Sequence, residues 1–518
     1  MNMGNQNLFA ALRAGFAGQL DATVIETADG PSGEKAAPLY YTARDLERGT
    51  AMLANLLASL KLPDGARVAV QTEKSVEALM LYLAVLRAGY VYLPLNTAYQ
   101  ASEIEYFIGN AQPAVVVCSP KNFAWVSRIA FSAGTKSVFT LGDDRTGSLL
   151  ERAAHHSDQH VPAIKRSDDL AAILYTSGTT GRSKGAMLTH GNLLSNAQVL
   201  NRYWDWRSTD VLVHALPIFH VHGLFVASHG ALLAGAKMVW FNRFDPAATV
   251  ARLPQATVFM GVPTLYVRML GEAALTPAQC AHMRLFISGS APLLLETFQA
   301  WQQRSGHTIL ERYGMSETAM LTSNPCRPAD GDRRGGTVGP ALPGVMLRVR
   351  NDDGSDAGVD EIGGIQVKGP NVFKGYWQMP EKTKEEFTDD GWFKTGDVGR
   401  RSADGYVTIV GRSKDLIISG GYNVYPAEIE GVINDMTGVA ESAVIGVPHA
   451  DFGEAVVAVL VPRPGAALDA AAITAELKSR IANFKVPKRV FVVKELPRNT
   501  MGKVQKNLLR EQHQGLFA

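Results

Sequence analysis

A loop dense in hydroxyl groups and glycines follows an apolar run in the first half of the chain. Residues 171–174 read Ala-Ala-Ile-Leu, and 175–185 read Tyr-Thr-Ser-Gly-Thr-Thr-Gly-Arg-Ser-Lys-Gly. Small residues let backbone N–H groups approach phosphate oxygens, and Lys184 adds a positive charge. The loop therefore predicts a phosphate site, with a flexible Ser/Thr/Gly turn as the alternative. The Ser-Lys-Gly end departs from the Walker A pattern, and no G-x-G-x-x-G segment is present.

Alternating strand and helix patterns have to position this loop. Short β-branched runs at 67–70 and 90–93 flank a helical pattern at 75–88, which predicts a β-α-β unit. Continuous apolar strands separated by helices indicate sheets buried on both faces, so the predicted fold class is α/β. Glycine-rich and acidic stretches at 330–339 and 351–364 indicate a small β-rich part. Further strands are predicted at 115–118, 171–175, 211–215, 238–241, 257–262, 285–288 and 308–310.

A second, smaller set of strand and helix patterns begins after residue 411. Pro426 opens a predicted helix in which Ile429, Val432, Ile433 and Met436 share one face. The predicted organisation is a large N-terminal domain (1–411), a hinge (412–415) and a small α+β C-terminal domain (416–518). The elements expected in the last domain are strands at 443–447, 455–461 and 489–493, a helix at 470–481 and an amphipathic helix from 504.

The overall composition excludes several classes of protein. The 518 residues include 51 Lys+Arg and 49 Asp+Glu, and the net charge of +2 is too small for a protein that neutralises nucleic acid or a membrane surface. With 46% apolar and 19% charged residues, the chain has the composition of a soluble enzyme of two to four domains. Cys118, Cys280 and Cys326 are far apart in sequence and predict reduced thiols in a cytosolic protein. No signal peptide or membrane span is predicted.

Six segments in a fixed order resemble the adenylate-forming superfamily, which includes acyl-CoA synthetases. Together they extend over more than 300 residues, whereas any single segment could match by chance. The resemblance covers phosphate, adenine, ribose, hinge and C-terminal lysine motifs. The segments are the loop at 175–185, Phe286-Ile-Ser-Gly-Ser-Ala-Pro292, Glu311-Arg-Tyr-Gly-Met-Ser-Glu-Thr318, Gly391-Trp-Phe-Lys-Thr-Gly-Asp397, Gly411-Arg-Ser-Lys-Asp415 and Pro497-Arg-Asn-Thr-Met-Gly-Lys503.

The resemblance implies two half-reactions. A carboxylate attacks the α-phosphorus of ATP to give an acyl-adenylate and pyrophosphate, and the thiol of coenzyme A then displaces AMP. Because two anions meet in the first step, positive charge and hydrogen-bond donors aimed at the α-phosphate decide its rate. No covalent nucleophile is required, since the acyl-phosphate anhydride is already activated.

The same resemblance implies a role for each matching residue. Lys503, Glu317 and His220 are the expected catalytic residues, with Lys503 reaching the substrate carboxylate and the α-phosphate. Thr176 and Glu317 are expected to hold Mg²⁺. Asp397 suits the ribose hydroxyls because a carboxylate accepts two hydrogen bonds; taken outside its motif, such an acid is more often an exposed side chain. The expected ATP-binding residues are Thr176, Ser177, Gly178, Thr179, Thr180, Gly181, Lys184, Gly289, Ser290, Ala291, Glu311, Arg312, Tyr313, Ser316, Asp397 and Arg412. Among these, Tyr313 is expected to stack on adenine.

The hinge and the following glycine pair are expected to act in the second half-reaction. The C-terminal domain of the superfamily rotates between the half-reactions, which implies a pivot at Lys414. A loop with Ser419, Gly420 and Gly421 would then line the coenzyme A tunnel, because glycines suit a backbone that runs close to a ligand. An ordinary tight turn is the alternative interpretation of this pair.

Three more segments resemble the malonyl-CoA synthetase subfamily. In that subfamily a basic residue on the helix after the Val-Pro pair neutralises the distal carboxylate, and here this residue is Arg268. A guanidinium facing a buried acyl pocket is costly unless an anion is bound; a surface ion pair is the alternative. Arg284 is a second candidate. His220 and His222 are expected beside the same pocket, although Val221 replaces a threonine that is frequent between them. The segments are Ala215-Leu-Pro-Ile-Phe-His-Val-His-Gly223, Gly261-Val-Pro-Thr-Leu-Tyr-Val-Arg268 and Gly369-Pro-Asn-Val-Phe-Lys-Gly-Tyr376.

The predicted function is an AMP-forming acid–thiol ligase that makes malonyl-CoA from malonate, or the methyl homologue from methylmalonate. The alternatives are a short- or medium-chain monocarboxylate acyl-CoA synthetase and a stand-alone adenylation enzyme that loads a carrier protein. A nucleotide sensor is disfavoured by the intact Lys503, Glu317 and Asp397. ATP and coenzyme A are the expected co-substrates, Mg²⁺ the cofactor, and the cytoplasm the location. An acetyltransferase and a deacetylase acting on Lys503 are the only expected macromolecular partners.

Overall fold

A computed structural model of the chain describes residues 4–28, 37–176, 183–420, 422–449, 451–499 and 502–517. Its strands are β1 Thr23–Thr27, β2 Tyr40–Thr42, β3 Arg67–Gln71, β4 Val91–Pro94, β5 Val115–Cys118, β6 Ser137–Thr140, β7 Leu170–Thr176, β8 Lys184–Thr189, β9 Val211–His214, β10 Lys237–Trp240, β11 Val258–Gly261, β12 Leu285–Ser288, β13 Leu310–Met315, β14 Ala319–Ser323, β15 Met346–Arg350, β16 Gly363–Lys368, β17 Phe393–Arg401, β18 Val407–Arg412, β19 Ile417–Ser419, β20 Tyr422–Val424, β21 Val439–His449, β22 Gly453–Pro462 and β23 Arg489–Val492.

The helices lie between and after these strands. They are α1 Leu8–Phe16, α2 Ala43–Ser59, α3 Val76–Arg87, α4 Ala101–Ala111, α5 Phe123–Ser132, α6 Ser148–Ala153, α7 His190–Tyr203, α8 His229–Ala234, α9 Pro246–Arg252, α10 Pro263–Leu270, α11 Leu295–Ser305, α12 Pro380–Glu386, α13 Pro426–Asn434, α14 Ala470–Arg480 and α15 Lys506–His513. A π-helical segment, His222–Ser228, precedes α8. Within the described residues, no helix is both long and apolar enough to cross a membrane.

Two large sheets form the main body of the protein. The first has the strand order β14-β13-β12-β11-β9-β10-β1-β2, and the second has the order β6-β5-β3-β4-β7-β8. Both are parallel except at β2, β14 and β8, which pair antiparallel at the edges. Helix α3 is buried along its whole length, and Ser75 caps its start by accepting a hydrogen bond from the backbone N–H of Ala78. Parallel sheets covered by buried helices confirm the predicted α/β class.

Two smaller sheets follow in the chain. Strands β15 to β18 form a four-stranded antiparallel sheet, which is the predicted β-rich part. The last sheet has the order β20-β19-β22-β21, with β23 added parallel to β22. Strand β18 ends at Arg412 and β19 begins at Ile417, so the chain passes from one sheet to the next in four residues. The limits of the two domains stay a prediction.

Most predicted strands and helices match those of the structure. Where their limits differ, pairing with a neighbouring segment explains the difference. The strand expected at 308–310 occupies 310–315, because its edge pairs antiparallel with β14 as far as Met315. The strand expected at 443–447 extends over 439–449, where it pairs along its length with β22. The last helix begins at Lys506 rather than at 504, since Val504 forms a β-bridge with Arg498.

Candidate active site

Loops at the carboxyl ends of parallel strands meet at one edge of the first sheet. Strands β9, β11 and β12 end there at His214, Gly261 and Ser288. The segments after these strands carry His220 and His222, the start of α10, and Gly289 with Ser290. Parallel strands bring such segments together regardless of their distance in sequence, and this edge is where open α/β sheets bind ligands.

Asp397 lies at the centre of a buried cluster that joins the first sheet to the four-stranded sheet. It is 4% exposed, and the hydroxyl of Tyr313 donates to its Oδ2 at 2.5 Å. Arg412, its register partner on β18, lies with Nε 3.1 Å from Oδ1. Asp397 therefore contacts both Tyr313 and Arg412, although these residues, predicted around the ribose and the adenine, come from β17, β13 and β18.

Lys503 is carried into this cluster by a hairpin from the last part of the chain. The Lys503 N–H donates to Asn499 Oδ1 at 2.9 Å, and Arg498 Nη1 donates to the Gly502 carbonyl at 2.5 Å. Gly502 lies against Thr264 of α10: a Cβ built on the glycine would be 3.1 Å from the threonine hydroxyl. Burial, the largest cause, and the neighbouring Arg412 cation lower the pKa of Lys503 to about 8.

Surface contacts accompany this approach of the C-terminal part. Arg463, which follows β22, lies 2.6 Å from Glu296 of α11, and both side chains are about half exposed. At the predicted hinge, Asp415 is paired with Arg510 of α15 at 2.5 Å. Burial, followed by the repulsion of Arg412, lowers the pKa of Lys414 to about 8. The pivot role of Lys414 stays a prediction.

A chain of contacts leads from the phosphate loop to Glu317. Thr176 is the register partner of Lys184 on β8, and the Lys184 ammonium lies 4.3 Å from the centre of the Tyr376 ring. The Tyr376 hydroxyl donates to Glu317 Oε1 at 3.0 Å. Lys184 also pairs with Glu386 at 3.2 Å. The predicted phosphate ligands Ser177, Gly178, Thr179, Thr180 and Gly181 lie outside the described residues.

Thr176 and Glu317 offer the oxygen donors that Mg²⁺ prefers. Magnesium is usually held by one or two protein oxygens together with substrate phosphates and water. In the described part of the chain, no cluster of three or more His, Cys, Asp or Glu could hold a metal without such help. Burial raises the pKa of Glu317, because it disfavours the ionised carboxylate. A nearby cation would stabilise that ionised form. The donor set therefore fits magnesium that arrives with a nucleotide.

Three more predicted nucleotide residues lie on β13, after β13 and after β12. Glu311 is buried, and its Oε1 accepts a hydrogen bond of 3.3 Å from the Leu293 N–H. Burial raises the pKa of Glu311 to about 8. Ser316 is half-buried in the turn between β13 and β14, and Ala291 follows the end of β12 by three residues.

Two histidines lie at the predicted acyl side of the site. His222 is fully buried, with Nδ1 3.3 Å from the Ser290 hydroxyl and no partner for Nε2 among the described residues. Ser290 has a positive φ of +72°, a strained conformation for a residue with a Cβ. His220 is half-buried, and its Nδ1 accepts a hydrogen bond from the His222 N–H at 3.3 Å. Burial, then the cations of Arg312 and Lys503, lower the pKa of His220 to about 4.

The two arginines predicted for the distal carboxylate are placed differently from the prediction. Arg284 precedes β12 at the amino-terminal edge of the sheet and pairs with the buried Asp210. Its Nη1 also donates to the Trp204 carbonyl at 2.9 Å. Arg284 is therefore neutralised at the edge opposite to the candidate site, and this geometry gives no support to its predicted substrate role. Arg268 lies on α10 one turn after Thr264, but it is exposed rather than facing a buried pocket.

The predicted coenzyme A loop lies at an edge of the last sheet. Ser419 ends β19 and is buried, and the Gly420 N–H donates to the Phe452 carbonyl at 2.9 Å. Gly420 has φ of +59°, a conformation that favours glycine. Gly421 lies outside the described residues, and the coenzyme A role of the loop stays a prediction.

Tyr376 is a site residue to which the sequence assigned no role. It holds Glu317 across 59 positions of sequence, and its backbone pairs with Ala186 of β8. A tyrosine in a glycine-rich segment has no periodicity or spacing that would connect it to a distant acid. Only the fold reveals this contact.

Comparisons with known proteins agree with this geometry. Residues 26–377 match the family model described as AMP-binding enzyme, and residues 428–503 match the AMP-binding enzyme C-terminal domain. A malonate–CoA ligase of Arabidopsis thaliana is 35% identical over 481 residues, which cover 86% of this chain and 78% of that protein.

Two solved structures of MatB from Rhodopseudomonas palustris are similar over 99% of this chain and 100% of theirs. The ATP-bound form has 54% identity and a TM-score of 0.95, and the apo form has 53% identity and a TM-score of 0.83. By this overall measure, the chain is more similar to the ATP-bound form than to the apo form. On these matches, the chain belongs to the family of AMP-binding enzymes.

Proposed function

We propose that this enzyme is an AMP-forming malonate–CoA ligase, which converts malonate, ATP and coenzyme A into malonyl-CoA, AMP and pyrophosphate. The observation that carries the proposal is the position of Lys503 beside the Asp397–Arg412 pair. A lysine brought by a hairpin from the far end of the chain, next to groups suited to a ribose, supplies positive charge where a carboxylate and an α-phosphate would meet.

The chain's own residues divide the first half-reaction between them. Asp397 accepts hydrogen bonds from the ribose, and Tyr313, whose hydroxyl is fixed on that carboxylate, provides an aromatic face for adenine. Lys503 neutralises the two anions as they approach, and Ser316 donates to the α-phosphate. Thr176 and Glu317 would hold Mg²⁺, which when bound neutralises phosphate charge. Tyr376 orients the Glu317 carboxylate.

Proton transfer is not required of His220 in this scheme. With a pKa near 4 its ring is neutral at pH 7, so it contributes a hydrogen-bonding wall to the acyl pocket and no charge. The second half-reaction needs the thiol of coenzyme A at the acyl carbon, and AMP leaves with the electron pair of the broken anhydride bond. The loop at Ser419 and Gly420 is proposed to guide that thiol after the C-terminal part has moved about Lys414.

The choice of malonate is supported by the names of relatives that match most of the chain. The ligase of Arabidopsis thaliana is described as acting on malonate. His220, His222 and Ser290, which are hydrogen-bonded to one another on the predicted acyl side, are polar and suit a second carboxylate better than an alkyl chain.

A panel of acids tests the proposal directly. AMP release would be measured with malonate, methylmalonate, acetate, butyrate and benzoate, each with and without coenzyme A. We expect malonate to give the highest kcat/KM and thioester formation to require coenzyme A. A preference for butyrate would instead favour a monocarboxylate ligase, and acyl-AMP release that coenzyme A does not accelerate would favour carrier-protein loading.

Control by acetylation follows from the same geometry. Acetylation of Lys503 removes the charge on which the first half-reaction depends, so an acetyltransferase and a deacetylase are proposed as regulators. Mass spectrometry of the native protein, paired with its specific activity, tests this. A cytoplasmic location is proposed with it.

A further inference from the structure

Lys74 joins the two large sheets through neutral groups. It follows β3 of the second sheet by three residues and is half-buried. Its Nζ lies 2.8 Å from the carbonyl oxygen and 3.0 Å from Nδ1 of His214, which ends β9 of the first sheet. The same nitrogen lies 4.3 Å from the centre of the Trp240 ring. Burial lowers the pKa of Lys74 well below its usual value, and none of its described partners is an anion. A lysine kept at this cost indicates a role for its contacts.

The contacts of His214 fix which of its ring nitrogens carries the proton. Its Nε2 lies 2.9 Å from the Gly223 carbonyl oxygen, which can only accept a hydrogen bond. The proton is therefore on Nε2, and Nδ1 accepts a hydrogen bond from the Lys74 amino group. Burial, then the Lys74 cation, lower the pKa of His214 well below its usual value, so the ring is neutral. Lys74 thus stabilises the tautomer in which His214 donates to Gly223.

The Gly223 carbonyl belongs to the π-helical segment His222–Ser228. Such turns are rare and occur mostly at functional sites. The Ser228 hydroxyl also donates to the Gly223 carbonyl at 2.9 Å, and it lies 3.1 Å from His214 Nε2. A Cβ on Gly223 would be 2.1 Å from the Pro217 carbonyl oxygen, so only glycine allows the segment to lie this close to the chain after β9. His214 therefore anchors the first turn of this segment from outside the helix.

The anchored turn begins with His222, whose ring is fully buried on the predicted acyl side of the site. The carbonyl that His214 holds belongs to the next residue in the chain. The His222 Nδ1 lies 3.3 Å from the Ser290 hydroxyl, a contact that a rotation of the turn would break. Loss of the His214 hydrogen bond is therefore expected to displace the His222 ring.

His222 and the nucleotide cluster lie on opposite faces of β13. Tyr313 contacts Asp397 on one face. Arg312, predicted around the adenine, instead directs its side chain to the other face, because consecutive residues of a strand alternate. On that face a Cβ added at Gly289 would be 2.5 Å from the Arg312 Cζ. Burial, then the Arg312 cation, lower the pKa of His222, so the two side chains are neighbours. Acid binding and nucleotide binding can therefore be disturbed independently.

We propose that Lys74 is a positioning residue for the acyl side of the site, which acts on His222 through His214 and the π-helical turn. This hydrogen-bond relay rests on the proposed function, because it assumes that His222 borders the acid that the enzyme activates. Lys74 contacts none of the groups to which a ligand is assigned. The second sheet, which carries Lys74, thereby takes part in binding the acid.

Steady-state kinetics of three single variants test the relay. Lys74→Met removes the amino group at similar length, Ser228→Ala removes one hydroxyl from the anchored turn, and Lys121→Met is the matched control. Lys121 lies at the same end of the second sheet, is exposed and pairs with Glu73. We expect KM for malonate to rise by about tenfold or more in Lys74→Met and by less in Ser228→Ala. KM for MgATP should stay within about threefold in both, and Lys121→Met should change neither constant.

A double-mutant cycle shows whether Lys74 acts through His214. His214→Leu removes both hydrogen bonds of the ring at similar volume. In a relay, the double variant should have a KM for malonate within about threefold of the more impaired single variant. Effects that multiply overturn the relay, and so does a rise in KM for MgATP equal to that for malonate. If Lys74→Met does not fold, as judged by circular dichroism, Ser228→Ala decides by the same two constants.

The choice of acid separates this inference from the proposed function. A wild-type enzyme that prefers butyrate overturns the malonate function, but the relay stands if Lys74→Met then raises KM for butyrate and not for MgATP. With malonate as the preferred acid, an unchanged KM for malonate in a folded Lys74→Met protein overturns the relay alone.

Discussion

Replacing Lys503 with glutamine should separate the two half-reactions. The substitution removes one charge at a buried position, where burial and the Arg412 cation lower the pKa of Lys503 to about 8. Removal of one preorganised donor from an anionic transition state costs about 2.7–4 kcal/mol, or roughly two to three decades in rate. We expect malonate-dependent pyrophosphate release to fall by that factor.

The second half-reaction should survive the same change. Synthetic malonyl-AMP supplied with coenzyme A should give thioester at a rate within about threefold of the wild type, since Lys503 is then not at the reacting atoms. Lys506→Gln is the control, because Lys506 lies three residues away and pairs with Glu430 at 2.6 Å. Equal losses in both assays would refute the assignment, and so would a loss of similar size in Lys506→Gln.

The pH dependence of the first half-reaction gives an independent check on Lys503. As pH rises through about 8, the free enzyme loses the Lys503 proton, so kcat/KM for adenylation should fall about tenfold per unit above that value. In Lys503→Arg any remaining activity should stay level to beyond pH 10, because a guanidinium keeps its proton. An alkaline limb that does not move would show that another group titrates.

Three further predictions concern stability and ligand orientation. Burial lowers the pKa of His190 from 6.5 to about 4, and its Nδ1 accepts a hydrogen bond from the Leu8 N–H. The neutral ring therefore contributes stability that is present above pH 6.5 and is lost as the pH falls toward 4. In urea unfolding, the wild type should lose about 3 kcal/mol more stability between pH 6.5 and pH 4 than His190→Gln loses. Arg284→Leu leaves Asp210 buried and unpaired, so urea unfolding should show a loss of about 3–5 kcal/mol while the malonate-to-butyrate ratio stays unchanged. Tyr376→Phe removes the hydrogen bond to Glu317, and the KM for MgATP should rise by about tenfold in steady-state assays, against no change in the KM for malonate.

The order of elements could be predicted because their patterns are local. The run 115–118 is apolar and β-branched, and it forms a parallel strand with the predicted limits. Pro426 fixes the start of its helix in the same way. Strand ends were less predictable, since β21 extends to His449 only through its pairing with β22. The apolar pattern of one strand does not show how far its pairing partner extends alongside it.

The candidate site was predictable in its membership and less so in its orientation. Motif order placed Tyr313, Asp397 and Lys503 in one cluster, which the structure also brings together. The same motif could not tell which face of β13 Arg312 occupies, because that depends on the strand's register with its neighbours. Nor could it tell that Arg268 is exposed, since burial of a long basic side chain depends on what packs over its helix.

The ion pair between Arg463 and Glu296 has a consequence for how the enzyme responds to its nucleotide. Both partners are about half exposed, and such pairs contribute between 0 and about 1 kcal/mol, less at high salt. An ion pair this weak favours one arrangement of the N- and C-terminal parts only slightly. The attraction between Lys503 and a triphosphate therefore supplies most of the free energy that favours this arrangement. By linkage, anything that pulls the hairpin away weakens nucleotide binding by the same free energy. ATP affinity thus reports the position of the C-terminal part. Added salt should lower this affinity, and a covalent cross-link between positions 296 and 463 should raise it.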